Sequence, residues 1–234
     1  VQAAEDTYVK TDELTDNDTA APKKDSVIPS KNQYEYQKQE LAAFCHFGMN
    51  TYTGSEWGNG KENPNQFQLT NDFDEETYVK AIHDAGFKKL IITAKHHDGF
   101  CIWPSEMTTH DTETAGYEGD VLEELSRACT KYNIDMGLYL SPWDVNSEYY
   151  GYKDKDGKKL VGADGQPLNG KTWDQVKQED ALDYNEYYDN QLKEILGNDK
   201  YGNNGHFKEV WMDGAKDTND KSNAQDYDFQ RWFK

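Results

Sequence analysis

The feature that most constrains the fold of this chain is a repeated alternation of short, β-rich apolar runs with amphipathic segments. The apolar runs lie at Leu41 to Met49, Lys89 to Ala94, Ile134 to Leu140 and Phe207 to Met212. Their apolar and β-branched residues are typical of buried strands. Alternation of this kind indicates βα units around a parallel sheet, so the sequence predicts an α/β fold with four such units.

Amphipathic segments connect these predicted strands. A helix is expected over about 75–85 with Asp74 as its N-cap, and a second helix begins at Asp120. A third, long helix is predicted from about 174 to 196. Three Asp-Gly or Asn-Gly pairs between 156 and 170 interrupt a polar stretch, which predicts an inserted hairpin or surface loop.

The length of 234 residues limits how much of a closed barrel the chain can hold. A (β/α)8 barrel typically needs about 250 residues, whereas this chain is divided among four units, a tail and an insertion. Residues 1–30 are polar and acidic without apolar periodicity, so we interpret them as an N-terminal tail or linker. Residues 31–234 are expected to form about the first half of a (β/α)8-like (TIM-type) barrel. A complete four-stranded open α/β domain is the alternative.

Composition excludes several classes of protein. The chain has 25 Lys and Arg against 44 Asp and Glu, a net charge of −19, which disfavours non-specific binding to nucleic acid or to an anionic membrane. No apolar run approaches the roughly 20 residues that a bilayer crossing needs. Three cysteines are too few for a disulfide framework. The polar, acidic start suits the remainder of a cleaved secretory signal, so we expect a secreted protein.

Polar and aromatic side chains follow each predicted strand where it ends. Because the carboxyl ends of parallel strands meet at one edge of a sheet, these side chains are expected to converge there. The candidates, in chain order, are His46, Glu56, Trp57, His96, His97, Tyr139, Trp211 and Asp213.

Asp213 is the strongest of these candidates. It follows an apolar run and precedes Gly214, which lets the backbone turn away and leaves the carboxylate presented at the strand end. A carboxylate in that position can act as a nucleophile toward an anomeric carbon, as in retaining glycosidases. The alternative is that Asp213 caps the next helix. Trp211, two residues earlier on the same side of the strand, favours the catalytic interpretation.

The histidines admit a second interpretation, a metal site. His46, His96 and His97 would be a ligand set, since zinc needs three or four converging groups. The interleaved tryptophans instead favour stacking on the apolar face of a sugar. We therefore favour a carbohydrate site, for which no cofactor is expected, and keep a histidine-based metallohydrolase as an alternative. The run 217–226 lacks the spacing of a calcium loop and is interpreted as a surface loop.

The motifs in which these residues lie resemble those of a known family, glycoside hydrolase family 29, the α-L-fucosidases. They occur in family order between about 40 and 215, and the Lys-His-His-Asp-Gly-Phe string is quite specific. The matching stretches are 44–48, 55–57, 93–100, 137–144 and 210–215.

The resemblance implies a catalytic (β/α)8-like barrel, no metal, and hydrolysis of terminal α-L-fucose with retention. It implies that Asp213 is the nucleophile and that the other seven candidates form the fucose-binding shell. The partner is then a fucosylated glycan or oligosaccharide. The forms at 46–51, 56–60 and 141–144 are closer to the subgroup acting on α-1,3/1,4-fucosyl branches.

The resemblance also raises a question about the general acid/base. In the family this group is a carboxylate from a later barrel strand or loop, and no such strand follows Asp213. We therefore expect the acid/base and the remainder of the barrel to lie beyond Lys234. A non-catalytic fucose-binding module, which keeps the pocket without the acid/base, is a further alternative.

Overall fold

The computed structural model describes residues 28–70, 73–214 and 224–234. Within these ranges one parallel sheet has the strand order β1 (Ala42–Cys45), β2 (Lys89–Lys95), β3 (Asp135–Leu140) and β4 (Glu209–Trp211). The predicted α/β fold with a parallel sheet is confirmed. Residues 1–27 of the predicted tail and 217–223 of the predicted surface loop lie outside the described residues.

Helices connect and flank the strands. In the described ranges they are α1 (Lys31–Lys38), α2 (Met49–Thr53), α3 (Glu75–Asp84), α4 (Val121–Lys131), α5 (Trp173–Glu179), α6 (Tyr184–Leu196) and α7 (Phe229–Trp232). Asp74 and Asp120 cap α3 and α4 as predicted, because each carboxylate accepts a backbone N–H of the first turn. Within the same ranges no helix combines the length and apolar character needed to cross a lipid bilayer.

The prediction of one long helix over 174–196 is wrong, because the segment forms two helices. Asp180 ends α5, and its carboxylate accepts the Lys153 N–H at 3.0 Å. The Ala181 N–H donates to the Lys153 carbonyl at 2.7 Å. Asp183 then caps α6 by accepting the Glu186 N–H at 3.1 Å. The break therefore depends on hydrogen bonds to Lys153, which is distant in sequence. Helical periodicity cannot predict such a contact.

The first predicted strand, 41–49, is longer than the observed strand. β1 ends at Cys45, and Met49 already belongs to α2. The Thr93 hydroxyl accepts the Phe47 N–H at 3.1 Å and donates to the Phe47 carbonyl at 3.0 Å. This side chain replaces the strand pairing of Phe47, so His46 lies just past the strand end rather than within it.

The predicted insertion is confirmed as a pair of short antiparallel turns. Isolated bridges join Lys153 to Lys159 and Val161 to Pro167. The insertion has its own small apolar cluster, in which Val176 of α5 is fully buried. The insertion is thereby packed against α5.

The two faces of the sheet differ in character. On one face, Leu90, Ile92 and Leu138 are buried in a core shared with α3, α4 and α6. The other face carries aromatic rings and an ion pair between Lys89 and Glu209. Phe44 and Trp211 on that face remain 39% and 44% exposed. The apolar core therefore lies on one side, and the second side is partly open.

A buried ion pair fixes the carboxyl end of β2. The side chain of Lys95 is completely buried, and its Nζ donates to Asp144 Oδ2 at 3.1 Å and to Gln191 Oε1 at 2.8 Å. Three tyrosine rings of α6 surround the ammonium group at 5.9, 5.5 and 5.2 Å. Lys95 thus joins β2, the loop after β3 and α6.

Replacing Lys95 by Met should lower the free energy of unfolding by about 3–5 kcal/mol, because it leaves the Asp144 carboxylate buried and unpaired. Urea denaturation measures the change. Lys131→Met is the matched control: it removes an exposed pair with Glu76, and because exposed pairs contribute little, its stability should stay close to that of the wild type. Equal losses in the two variants would contradict the structural role of the buried pair.

Candidate active site

A cavity of about 320 Å³ opens at the carboxyl ends of the strands. This volume lies at the lower end of the roughly 300–1,000 Å³ typical of small-molecule sites. The lining residues are His46, Phe47, Gly48, Met49, Asn50, Glu56, Trp57, Thr93, His96, His97, Asp98, Phe100 and Asp213. Six of the eight candidates therefore share one cavity, as the sequence predicts.

Asp213 lies just past β4 with both carboxylate oxygens engaged. Oδ2 accepts the Tyr139 hydroxyl at 2.9 Å, and Oδ1 accepts the Gly214 N–H at 2.8 Å. Partial burial acts to raise the pKa of the Asp213 carboxyl. These two hydrogen bonds, with the nearby rings of His97 and His96, outweigh burial and hold that pKa below its ordinary value. The carboxyl group is therefore ionised near neutral pH.

Tyr139 is the donor that orients this carboxylate. Burial, followed by the hydrogen bond and charge of Asp213, raises the pKa of the Tyr139 hydroxyl far above its usual range. The hydroxyl therefore keeps its proton and donates at any physiological pH. The backbone at Gly214 also requires glycine: φ is 83°, and a Cβ there would come 2.7 Å from the Cβ of Trp143.

His96 is held neutral with its proton on Nε2. The Asn50 amide nitrogen lies 3.3 Å from His96 Nδ1 and also donates to the Glu56 carbonyl at 2.5 Å. Because an amide nitrogen donates, Nδ1 accepts and the ring proton is on Nε2. Burial lowers the pKa of His96 to about 4, and electrostatic repulsion from the neighbouring rings of His97 and His46 acts in the same direction.

Ser141 sets the tautomer of His97. The Ser141 hydroxyl lies 2.8 Å from the Trp143 carbonyl and 2.7 Å from His97 Nδ1. A carbonyl only accepts, so the hydroxyl gives its hydrogen to Trp143 and accepts the Nδ1–H of His97. The other ring nitrogen, His97 Nε2, lies 3.9 Å from Asp213 Oδ2.

Aromatic rings form the walls around these polar groups. His46 stacks on Phe44 at 4.7 Å between ring centroids and meets Tyr139 edge-on at 5.6 Å. Trp57 packs against Trp143 at 5.8 Å and remains 55% exposed. The cavity thus combines a polar floor with an exposed indole at its rim.

Two of the eight candidates do not line the cavity. Tyr139 contacts Asp213 instead, as described above. Trp211 packs its ring edge against Phe44 at 5.3 Å. Because Trp211 precedes Asp213 by two residues, it lies about 7 Å deeper along the strand. Its contact with a sugar stays a prediction.

Sequence reasoning assigned no role to several residues of the site. Ser141 follows Tyr139 by two positions. The alternation of side chains along a strand therefore places Ser141 on the same side as Tyr139, and this signal could have identified it. Asn50 had no such signal, because α2 brings it to His96. Asp98 belongs to a recognised motif but was given no function.

The rings of His46, His96 and His97 pack against one another. The centroids of His96 and His97 are 4.2 Å apart, and those of His46 and His96 are 5.5 Å apart. Among residues 28–70, 73–214 and 224–234, no three His, Cys, Asp or Glu side chains are arranged to hold a metal ion.

The family model for alpha-L-fucosidase matches residues 31–233. The chain belongs to the α-L-fucosidase family. Alpha-L-fucosidase 1 of Arabidopsis thaliana is 40% identical over 209 residues, which are 88% of this chain and 34% of that relative. The chain therefore spans about a third of this relative.

Solved structures of the family are similar to this fold. A GH29 fucosidase of Ruminococcus gnavus in complex with fucose has a TM-score of 0.78 and 57% identity, over 92% of this chain and 41% of that one. A putative alpha-L-fucosidase from Bacteroides ovatus has a TM-score of 0.68 and 38% identity, over 88% of this chain and 30% of that one.

Replacing His96 by Gln should change how stability depends on pH. The folded-state pKa of about 4 lies below the ordinary histidine pKa of 6.5. Only the unfolded state therefore takes up this proton between those values, and His96 lowers stability as pH falls through that window. Relative to the variant, the wild type should lose about 1–2 kcal/mol between pH 7 and pH 4, after allowing for solvent screening. Denaturation curves at several pH values test this; parallel pH profiles would contradict it.

Proposed function

We propose that this chain is part of a retaining α-L-fucosidase that removes terminal α-linked fucose from glycans, with Asp213 as the nucleophile. The observation that carries the proposal is the Asp213 carboxylate, which lines the cavity and is oriented through both oxygens by Tyr139 and Gly214. Its lowered pKa keeps it ionised, as a nucleophile must be.

The proposed reaction is a double displacement. Asp213 attacks C1 of fucose through an oxocarbenium-like transition state, and the bond from C1 to the leaving oxygen breaks as that oxygen is protonated by a general acid. The resulting fucosyl ester on Asp213 is then attacked at C1 by water, activated by the same group acting as base. The C1–Asp213 bond breaks, and fucose leaves with its original configuration.

The other candidates bind the sugar in this scheme. His46, His97 and the neutral His96, with its Nε2–H, hydrogen-bond ring hydroxyls. Glu56 accepts from another hydroxyl. Trp57 and Trp211 pack against apolar edges of the sugar. Because the sugar is neutral, the net charge of −19 does not oppose binding.

The relative from Ruminococcus gnavus supports this assignment of binding and chemistry to separate groups. It is described in complex with fucose, and an Asp-to-Ala mutant of the same enzyme is also described in complex with fucose. We infer that the pocket of this chain likewise retains fucose when Asp213 is replaced.

We also propose that the sheet is about the first half of a (β/α)8 barrel. The aromatic face with Phe44 and Trp211 is partly open, and side chains of opposing strands would fill the interior of a barrel. The structural relative from Ruminococcus gnavus is more than twice as long, since this chain covers 41% of it. The general acid/base would come from that remainder, and α-1,3/1,4-fucosyl branches are the proposed linkages.

Asp213→Asn in the full-length protein should reduce fucose release about a thousandfold or more while fucose binding persists, because a nucleophile acts chiefly in the transition state. Turnover of an aryl fucoside and calorimetric titration with fucose measure the two effects. Asp174→Asn, an exposed change on α5, should leave both unchanged. Near-normal turnover by Asp213→Asn would refute the nucleophile. Binding without turnover in the wild type would favour the non-catalytic module, and metal-dependent turnover the metallohydrolase.

Residues 1–234 alone should cleave an activated aryl fucoside slowly and a Lewis-type oligosaccharide hardly at all. Without the acid/base the leaving oxygen departs unprotonated, which slows the first step by roughly 10²–10⁴, and an aryl leaving group needs little protonation. Parallel rate measurements on the two substrates test this. Full turnover of the oligosaccharide would place the acid/base within this chain, with Glu56 as the first candidate.

A further inference from the structure

The side-chain amide of Asn50 joins two parts of the cavity wall and has no role in the proposed reaction. Its nitrogen donates to the Glu56 carbonyl at 2.5 Å and lies 3.3 Å from His96 Nδ1. A carbonyl only accepts, so the nitrogen of the amide, and not its oxygen, faces both partners. The orientation of one amide group is therefore linked both to the loop that carries Glu56 and to the ring of His96.

The backbone of Asn50 contacts the same loop. The preceding residue, Met49, is completely buried and anchors α2 in the core, and Gly54 ends α2 with a φ of 66°. The Gly54 N–H donates to the Asn50 carbonyl at 3.0 Å. Main chain and side chain of Asn50 are thus both bonded to the start of the Trp57 loop (residues 54–63).

The oxygen of the amide shows that this orientation depends on its two partners. Asn50 Oδ1 is buried and lacks a hydrogen-bond partner among the described residues. A buried acceptor without a donor costs free energy, so the two contacts of the nitrogen must offset that cost. If the Glu56 carbonyl moved away, one of these two contacts would be lost.

The rings around His96 fix its plane but not its tautomer. His96 stacks on Tyr139 with parallel planes at 5.4 Å between centroids and lies against His97 at 4.2 Å. Asp213 acts on His96 through its charge, but each of its oxygens already accepts a hydrogen bond. The position of the ring proton is set by the hydrogen bond at the other nitrogen, which is the contact with Asn50.

We propose that Asn50 is a positioning residue that couples the place of the Trp57 loop to the hydrogen-bonding polarity of His96. While the loop is docked, the Glu56 carbonyl keeps the amide nitrogen turned toward Nδ1, and His96 presents Nε2–H to the cavity. When the loop leaves, the amide turns over and offers its oxygen to Nδ1. The Nε2–H bond then breaks, its proton passes through water to Nδ1, and His96 becomes an acceptor on its cavity side.

A separate contact holds the far part of the loop and gives a way to move it without touching Asn50. The Asn146 amide donates to the Gly60 carbonyl at 3.0 Å. Gly60 has a φ of 76°, and a Cβ there would come 2.1 Å from the Val145 carbonyl oxygen. A side chain at Gly60 must therefore displace the loop from the segment after β3.

Nitrogen NMR of isotope-labelled histidine in the full-length protein measures the tautomer at pH 8, where the His96 ring is neutral. The His96 signal is the one missing from His96→Gln. In Gly60→Ala the ratio of Nε2–H to Nδ1–H should fall about fivefold, the value of one net hydrogen bond. Hydrogen exchange of the loop amides should become about tenfold faster. Asn146→Ala, which only removes a hydrogen bond to the loop, should change both in the same direction.

Gly157→Ala is the matched control for Gly60→Ala. Gly157 has a similar φ of 74°, but a Cβ there meets nothing within 4 Å. This variant should keep the His96 tautomer and the loop exchange of the wild type. Faster loop exchange in Gly60→Ala with an unchanged His96 tautomer would overturn the coupling.

Asn50→Asp tests the amide directly. A carboxylate only accepts, so it should place the proton of His96 on Nδ1, repel the Glu56 carbonyl and release the loop. Asn185→Asp is its control, because the Asn185 amide also donates to a backbone carbonyl, that of Asp226 at 3.1 Å, and it should leave the His96 signal unchanged. An Nδ1 that stays unprotonated in Asn50→Asp would overturn the role of Asn50.

A kinetic consequence rests on the proposed function. Gly60→Ala should raise KM for an aryl fucoside about tenfold with little change in kcat, because the loop positions the sugar and not the nucleophile. An active Gly60→Ala variant with a changed tautomer and an unchanged KM would overturn the positioning role. The NMR and exchange measurements need no turnover, so an inactive wild type would refute the fucosidase and still leave the coupling tested.

Discussion

The cavity depends on how the fold accommodates one buried positive charge. Lys95 lies at the end of β2, immediately before His96, and its ammonium group has no access to water. A charge in such a place requires a paired anion, and Asp144 is that anion. Asp144 Oδ1 is so close to Gly99 that a Cβ there would come within 2.5 Å of it. Pairing the charge therefore brings the loops after β2 and β3 together, and with them His97 and Trp143.

The polar groups of the cavity are arranged by bonds among themselves before any ligand arrives. Asn50 fixes the tautomer of His96, Ser141 fixes that of His97, and Tyr139 orients Asp213. Each of these partners comes from a different segment of the chain from the residue it holds. These side chains are therefore already ordered in the folded protein, so less conformational entropy is lost when a sugar binds.

The sequence predicted the features that depend on local patterns. The β-branched run at Lys89 marks a strand buried on both faces, and Asp74 and Asp120 mark helix starts, since each signal lies within a few residues of the element it sets. The break at Asp180 depends on a residue that is distant in sequence, and the contact of Asn50 with His96 depends on an unpredicted helix. Periodicity and spacing reflect only local sequence, so they cannot predict contacts of this kind, and only the structure reveals them.

The break between α5 and α6 determines where changes of chain length are tolerated. At the exposed turn tip Gly157, an added residue would extend into solvent. The connection from Asp180 to Asp183 is instead held at both ends, by the pairing with Lys153 and by the cap on α6. An added residue there would have to disrupt one of these two contacts, and α6 carries the three tyrosines that surround Lys95. The length of a connection on the surface of the molecule is thus linked to an ammonium group in its interior.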